Sequence, residues 1–164
     1  MIRGDLGQLV DALREPIRIF VRDARVRLAM LINGSGQVLA QHGFSGAYDV
    51  ASVASLAAAT HASSRALADM TGARRWVYLH HTGRHRQLFL APFATPAQEL
   101  ILVAIFDEDS SLGLVRLYFN EFEGRVATLP ELGTVRTGTS AEDFERELEA
   151  GLRHILPPEW LEEG

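Results

Sequence analysis

The feature that most restricts how this chain can fold is a long helical stretch with almost no charge. From Val50 to Met70 the spacing reads as one helix, with Asp49 before it and Gly72 closing it. Between Val50 and Ala68 the only formal charge is Arg65, alongside His61. On a helical projection the larger side chains Val53, Leu56, Leu67 and Met70 gather on one side, with Thr60 and Ser63 completing the stripe. This is the face expected to cover the chain's own sheet. A second line, Ala51, Ser55, Ala58, Ala62 and Ala66, lies well round the helix and is uniformly small. A helix that covers one face of a monomer should carry charge on its outer side. This one offers alanine and serine, which let another backbone approach closely. A self-complementary face of this kind is best covered by its own copy across a two-fold axis, at a scale of about 800 Å² per partner. The competing reading is a helix buried inside one monomer, its alanines recording helix propensity alone.

The other elements follow from periodicity and punctuation. Leu6, Leu9, Val10, Leu13, Ile17 and Phe20 predict an amphipathic first helix with Asp5 as its cap, and Pro16 predicts a kink or break near Glu15. Leu28–Ile32 and Val38–Ala40, joined through Asn33-Gly34-Ser35-Gly36, predict a β-hairpin. After the central helix come three strands, Trp76–His80, Leu88–Phe93 and Leu100–Phe106, with Pro92 expected at a strand edge or bulge. Leu114, Leu117, Tyr118, Phe122, Val126 and Leu129 fit a further helix capped by Ser110 or Ser111, although the composition is strand-like through Phe119. A polar loop then leads to a last amphipathic helix from Ser140, carrying Phe144, Leu148, Leu152 and Ile155, and an acidic tail after Pro157-Pro158. Residues 1–129 therefore read as one domain, and 130–164 as loop, amphipathic helix and tail.

Composition excludes several classes of function. With 47% apolar and 23% charged residues the chain is globular rather than disordered. A net charge of −5 gives no pull toward nucleic acid phosphates. The absence of cysteine removes disulfides and thiolate metal sites. Met1-Ile2-Arg3-Gly4-Asp5 leads into a charged stretch without the apolar run of a signal peptide, and no apolar segment is long enough to span a bilayer. A cytoplasmic protein without membrane insertion is the expectation.

Motifs that carry chemistry are sparse. His80, His81 and His85 cluster, but no acidic or cysteine ligand stands at suitable spacing, so surface imidazoles are expected and no metal. Arg84 and Arg86 read as a solvated loop, or as a patch for an acidic partner. Asn33-Gly34-Ser35-Gly36 precedes a strand and so lacks the setting of a phosphate loop. Asp107, Glu108 and Asp109 are explained by a strand end meeting the next helix, more simply than by a bound cation. No serine stands in a nucleophile motif, and neither catalytic residues nor a cofactor are expected.

Three stretches resemble the roadblock/dynein light-chain family and, within it, the bacterial MglB-like proteins. Val53-Ala54-Ser55-Leu56-Ala57-Ala58 running to Leu67-Ala68-Asp69-Met70-Thr71-Gly72 is similar to the family's central helix. His81-Thr82-Gly83 before Leu88-Phe89 is similar to its turn, and Ile105-Phe106-Asp107 with Ser111-Leu112-Gly113-Leu114-Val115-Arg116-Leu117 to its last strand and following helix. The resemblance covers about residues 24 to 119. It implies an α/β roadblock (profilin-like) fold: a five-stranded antiparallel sheet, the long central helix on one face, and the N- and C-terminal-half helices on the other.

It also implies a homodimer joined through central helix and edge strand, which places Ala51, Ser55, Ala58, Ala62, Trp76, Tyr78 and His80 at the dimer interface. The implied activity is binding of a small Ras-like GTPase of MglA type and stimulation of its GTP hydrolysis without an arginine finger. The implied partner-binding residues are Ala58, Ala62, Ser63, Arg65 and Ala66. Such a protein regulates an enzyme and is not one. The chain departs from the pattern at Asp11, Ala12, Glu121 and Thr128, which stand where some relatives carry basic residues. That departure keeps open a homodimer that scaffolds a signalling or polarity complex without activating hydrolysis. A small-molecule sensor is a third reading, with no converging polar groups visible in the sequence.

Overall fold

The computed structural model describes residues 2–46, 48–74 and 76–131, with side chains from residue 7 onward. The elements run α1 (Ile2–Ala24), β1 (Leu28–Asn33), β2 (Val38–Gly43), α2 (Val50–Thr71), β3 (Leu79–Thr82), β4 (Gln87–Ala94), β5 (Glu99–Phe106) and α3 (Leu112–Ala127). The strands form one sheet in the order β2-β1-β5-β4-β3, and every neighbouring pair is antiparallel. Helices α1 and α3 pack on one face of it and α2 on the other. The expected helix from Ser140 and the acidic tail lie outside the described residues.

Local chemistry sets most of the boundaries. Asn33 Oδ1 accepts from the backbone N–H of Ser35 at 3.1 Å and of Gln37 at 2.9 Å, which curls the chain from β1 into β2. Gly36 takes φ 83 at the end of that turn, a conformation that favours glycine. At the start of α2 the Asp49 carboxylate accepts from Ser52 N–H at 3.2 Å, and Gly72 ends the helix at φ 70. Ser111 caps α3 by accepting from Leu114 N–H at 3.2 Å, while Ser110 Oγ donates to the Ala24 carbonyl and ties the end of α1 to this corner.

Two expectations about boundaries change. The first helix starts at Ile2, so Asp5 lies inside it rather than capping it, and the helix continues through Pro16 without a break. An interior proline costs about 3 kcal/mol. Leu9, Leu13, Ile17 and Phe20 are all buried along one stripe that spans Pro16. At about 1.5–3 kcal/mol for each such side chain, burying the stripe outweighs the lost hydrogen bond. Strand β3 begins at Leu79, three residues later than expected, because the Trp76 indole N–H is drawn to the Ser64 carbonyl of α2 at 2.7 Å. Pro92, expected at a strand edge or bulge, lies within β4 where β3 pairs only as far as Leu90 and leaves β4 without a second neighbour. That is the local edge a proline tolerates.

The two sheet faces are filled differently. Toward α1 and α3 the core holds Phe20, Phe89, Phe93, Phe106, Phe119 and Phe122, with edge-to-face contacts such as Phe20–Phe122 at 5.9 Å and Phe93–Phe122 at 5.9 Å. Toward α2 the sheet supplies the bulk through Leu28, Met30, Ile32, Ile101, Val103 and Ile105, and the helix answers with Ala54, Ala57 and Ala58. This reverses the expected orientation of α2. Of the stripe of larger side chains only Val53 packs against the sheet; Leu56 is 68%, Leu67 56% and Met70 84% exposed. The physical reason is volume. A sheet face already crowded with branched side chains leaves room only for a helix surface of small ones. Gly36 shows how close that seat is, since a Cβ there would stand 3.0 Å from the Ser55 Cα.

Candidate interaction surface on the central helix

With Ala54, Ala57, Ala58 and Ala68 turned inward, the outward side of α2 carries Leu56, Ala59, Ala62, Ser63, Ala66, Leu67 and Met70, all exposed. The spacing of three and four residues places them along one side of the helix. None is charged. Arg65 and Asp69 stand nearer the flank, and Arg65 is held there: its guanidinium lies 3.3 Å from the carboxylate of Glu99 on β5, which also accepts from His61 Nε2 at 2.9 Å. The outward stripe is therefore an apolar seam bordered by ionic contacts that face the chain's own sheet.

Of the residues the sequence singled out on α2, the structure brings Ala51, Ser55, Ala62, Ser63 and Ala66 to the exposed surface, with Arg65 beside them. Ala58 is the correction: it is only 6% exposed and packs against the sheet, so it is not part of the outward surface. Trp76 stays 40% exposed with its indole tied back to α2. Tyr78 and His80 go elsewhere. Tyr78 stacks on Phe89 at 5.4 Å and lies under the Arg116 guanidinium of α3. His80 stacks on Phe106 and meets Gln87 Oε1 at 2.8 Å. Both side chains point to the α3 side of the sheet, away from α2, although their backbone belongs to the β3 edge. Among the described residues that strand has a sheet neighbour only in β4.

Sequence reasoning missed Leu56, Leu67 and Met70 as surface residues. The available signal lay in the strands: Leu28–Ile32 and Leu100–Phe106 are apolar at every position, so both sheet faces bring bulk and the covering helix must be lean. The charged clusters also find structural work. Asp107 Oδ2 receives Arg27 Nε at 2.6 Å and Arg86 at 3.2 Å, while Asp109 receives the other arm of Arg27 at 2.7 Å. Arg27, first among the causes, holds the Asp107 carboxyl below the usual carboxylate range. Arg86, read from sequence as a solvated loop residue, instead ties the β3–β4 turn to the end of β5. Among the described residues no group of histidine and acidic side chains is arranged to hold a metal ion, and no helix is long and apolar enough to cross a membrane.

Comparison with known proteins gives these features a context. Residues 17–106 match the Roadblock/LC7 domain. Among solved structures, the chain is similar to MglB of Myxococcus xanthus, with 26% identity, a TM-score of 0.69, and coverage of 78% of this chain and 94% of that one. It is also similar to the gliding protein MglB of Thermus thermophilus, at 27% identity and a TM-score of 0.63, covering 73% of this chain and 88% of that one. An MglB with a tetrameric arrangement matches at 27% identity and a TM-score of 0.62, covering 75% and 88%. No curated protein matches the chain.

Proposed function

The chain belongs to the Roadblock/LC7 domain family, and from that premise we propose that it works as a homodimer that binds a small Ras-like GTPase of MglA type and stimulates its GTP hydrolysis. The observation that carries this reading is the outward side of α2, where Leu56, Leu67 and Met70 stand exposed among alanines. A monomer gains nothing from holding such a seam in water. A second copy covers part of it when the two α2 helices lie side by side, and the open edge of β3 can pair with its own counterpart. In that dimer Ala51, Ser55 and Ala62 line the helix contact, while Trp76, Tyr78 and His80 bring their backbone to the strand edge. Ala62, Ser63, Arg65 and Ala66 then lie where two adjacent helices offer one surface to the GTPase.

Stimulation without an arginine finger is supported by Arg65 itself. Its guanidinium is engaged by Glu99, so it is poorly placed to reach into another protein's nucleotide site. A finger contributes about 10³ to 10⁵ in rate. Arg65→Ala should therefore weaken binding modestly without a loss of that size. Single-turnover GTP hydrolysis by an MglA-type GTPase, with and without this protein, tests the proposal. Acceleration is expected, and unchanged hydrolysis at saturating protein removes the activator reading.

One observation favours a second reading, a dimer that scaffolds without activating. Asp11 and Glu121 occupy places where some relatives are basic, and they pair with Arg14 at 3.4 Å and Arg125 at 3.8 Å. These contacts neutralise charge that would otherwise meet a partner. Binding independent of the nucleotide state, with hydrolysis unchanged, selects this scaffold.

A further inference from the structure

Helix α2 seats closely on β1 and β5 but not on the other end of the sheet. Its C-terminal half passes over β3 and β4, and there the helix turns only Ala68 inward as a buried side chain. Between helix and sheet lies a cavity of about 290 Å³, walled by Ala68 of α2 and by Leu79, Leu90, Pro92 and Ala94 of the sheet. Trp76, pinned by its hydrogen bond to Ser64, closes one side. The volume falls at the lower end of the range for small-molecule sites. The occupant it admits has the size of an amino acid rather than of a nucleotide.

The charges at this cavity fall into two kinds. Arg65, Glu99 and His61 satisfy one another. Asp69 and Arg74 also line the space, and among the described residues neither side chain has a hydrogen bond or an ion pair. Arg74 holds φ 61, a left-handed conformation that is uncommon for a non-glycine residue. An exposed carboxylate and an exposed guanidinium thus border a chamber of mixed lining, with apolar side chains and an indole along one wall. That combination matches a ligand bearing both an ammonium and a carboxylate on an apolar body.

We propose that this cavity is a binding site for a small zwitterion with an apolar side chain, an α-amino acid such as phenylalanine or leucine. Its carboxylate meets Arg74, its ammonium meets Asp69, and its side chain enters between Trp76 and the β4 wall. The lining residues come from one chain, and two of them, Trp76 and Arg65, also stand on the surfaces assigned above to the second copy and the GTPase.

Isothermal titration of the full-length protein with L-phenylalanine and L-leucine tests it. Binding of at least one is expected, with loss of affinity when the carboxylate is converted to an amide or the amine is acetylated. Arg74→Gln and Asp69→Asn should each weaken binding about tenfold or more, since each removes a charge-assisted hydrogen bond. Ala94→Leu fills the chamber and should abolish binding. Circular dichroism and thermal melting of each variant establish that it is folded before its titration is scored. The proposal is overturned if neither amino acid binds at millimolar concentration. It is equally overturned if the blocked analogues bind as well as the parent molecules, or if folded Ala94→Leu still binds.

Discussion

The two faces of the sheet solve the same burial problem in opposite ways. Toward α1 and α3 both layers are bulky, and phenylalanines from strand and helix meet edge to face. Toward α2 the strands carry nearly all the bulk and the helix contributes methyl groups. The first arrangement finishes within one chain. The second leaves apolar surface outside, because a helix that turns Ala54, Ala57, Ala58 and Ala68 to the sheet exposes Leu56, Leu67 and Met70 beside its remaining alanines. The lesson is that an interface can be prepared by the inner face of an element: what the sheet fills decides what the helix has to expose.

Perturbing the two faces in opposite senses probes this contrast. The largest effect is expected on the aromatic side, where Phe122 is fully buried between two other rings. Phe122→Ala should cost about 3–5 kcal/mol in chemical denaturation, the range for emptying an aromatic site. On the α2 side the damaging change is addition. Ala57→Leu would push a branched side chain against a filled sheet and should cost about 1–3 kcal/mol. Were Ala57→Leu neutral or stabilising, the helix would not be closely seated, and the volume explanation for its orientation would fail.

A smaller effect belongs to neither face but to the corner that joins them. Asp107 is depressed chiefly by its hydrogen bond from Arg27. A carboxyl whose folded value lies below its unfolded one contributes stability above the unfolded value and loses it as pH falls through the folded one. The acid side of the stability curve should therefore flatten in Arg27→Gln, because the variant loses stability at neutral pH and converges with the natural sequence at acid pH, where Asp107 is protonated in both. An unaltered acid limb, followed by thermal melting across acidic buffers, would show that the arginine pair is ornamental.

Much of the fold was legible because its determinants are local. Asn33 and Gly36 shape the hairpin turn, Asp49 and Gly72 bound α2, and Ser111 settles a segment whose composition argued for strand. The interaction surface was legible only in part. Absence of charge singled out α2, and its outward side is apolar and exposed in the structure. Which side faced outward was hidden, because that depends on side chains of β1 and β5 distant in sequence. The pull of Trp76 toward Ser64, which shortened β3, is likewise a contact between separate elements and leaves no periodic trace.

The measurement closest to the central claim is sedimentation velocity of the full-length chain beside the double variant Ala62→Arg, Ala66→Arg. Both positions are exposed in the single chain, so two arginines there should leave thermal stability almost unchanged while placing charge on the apolar seam. The account expects a dimer for the natural sequence at micromolar concentration and a folded monomer for the variant. A natural chain that sediments as a monomer throughout, or a variant that dimerises equally well, would contradict it.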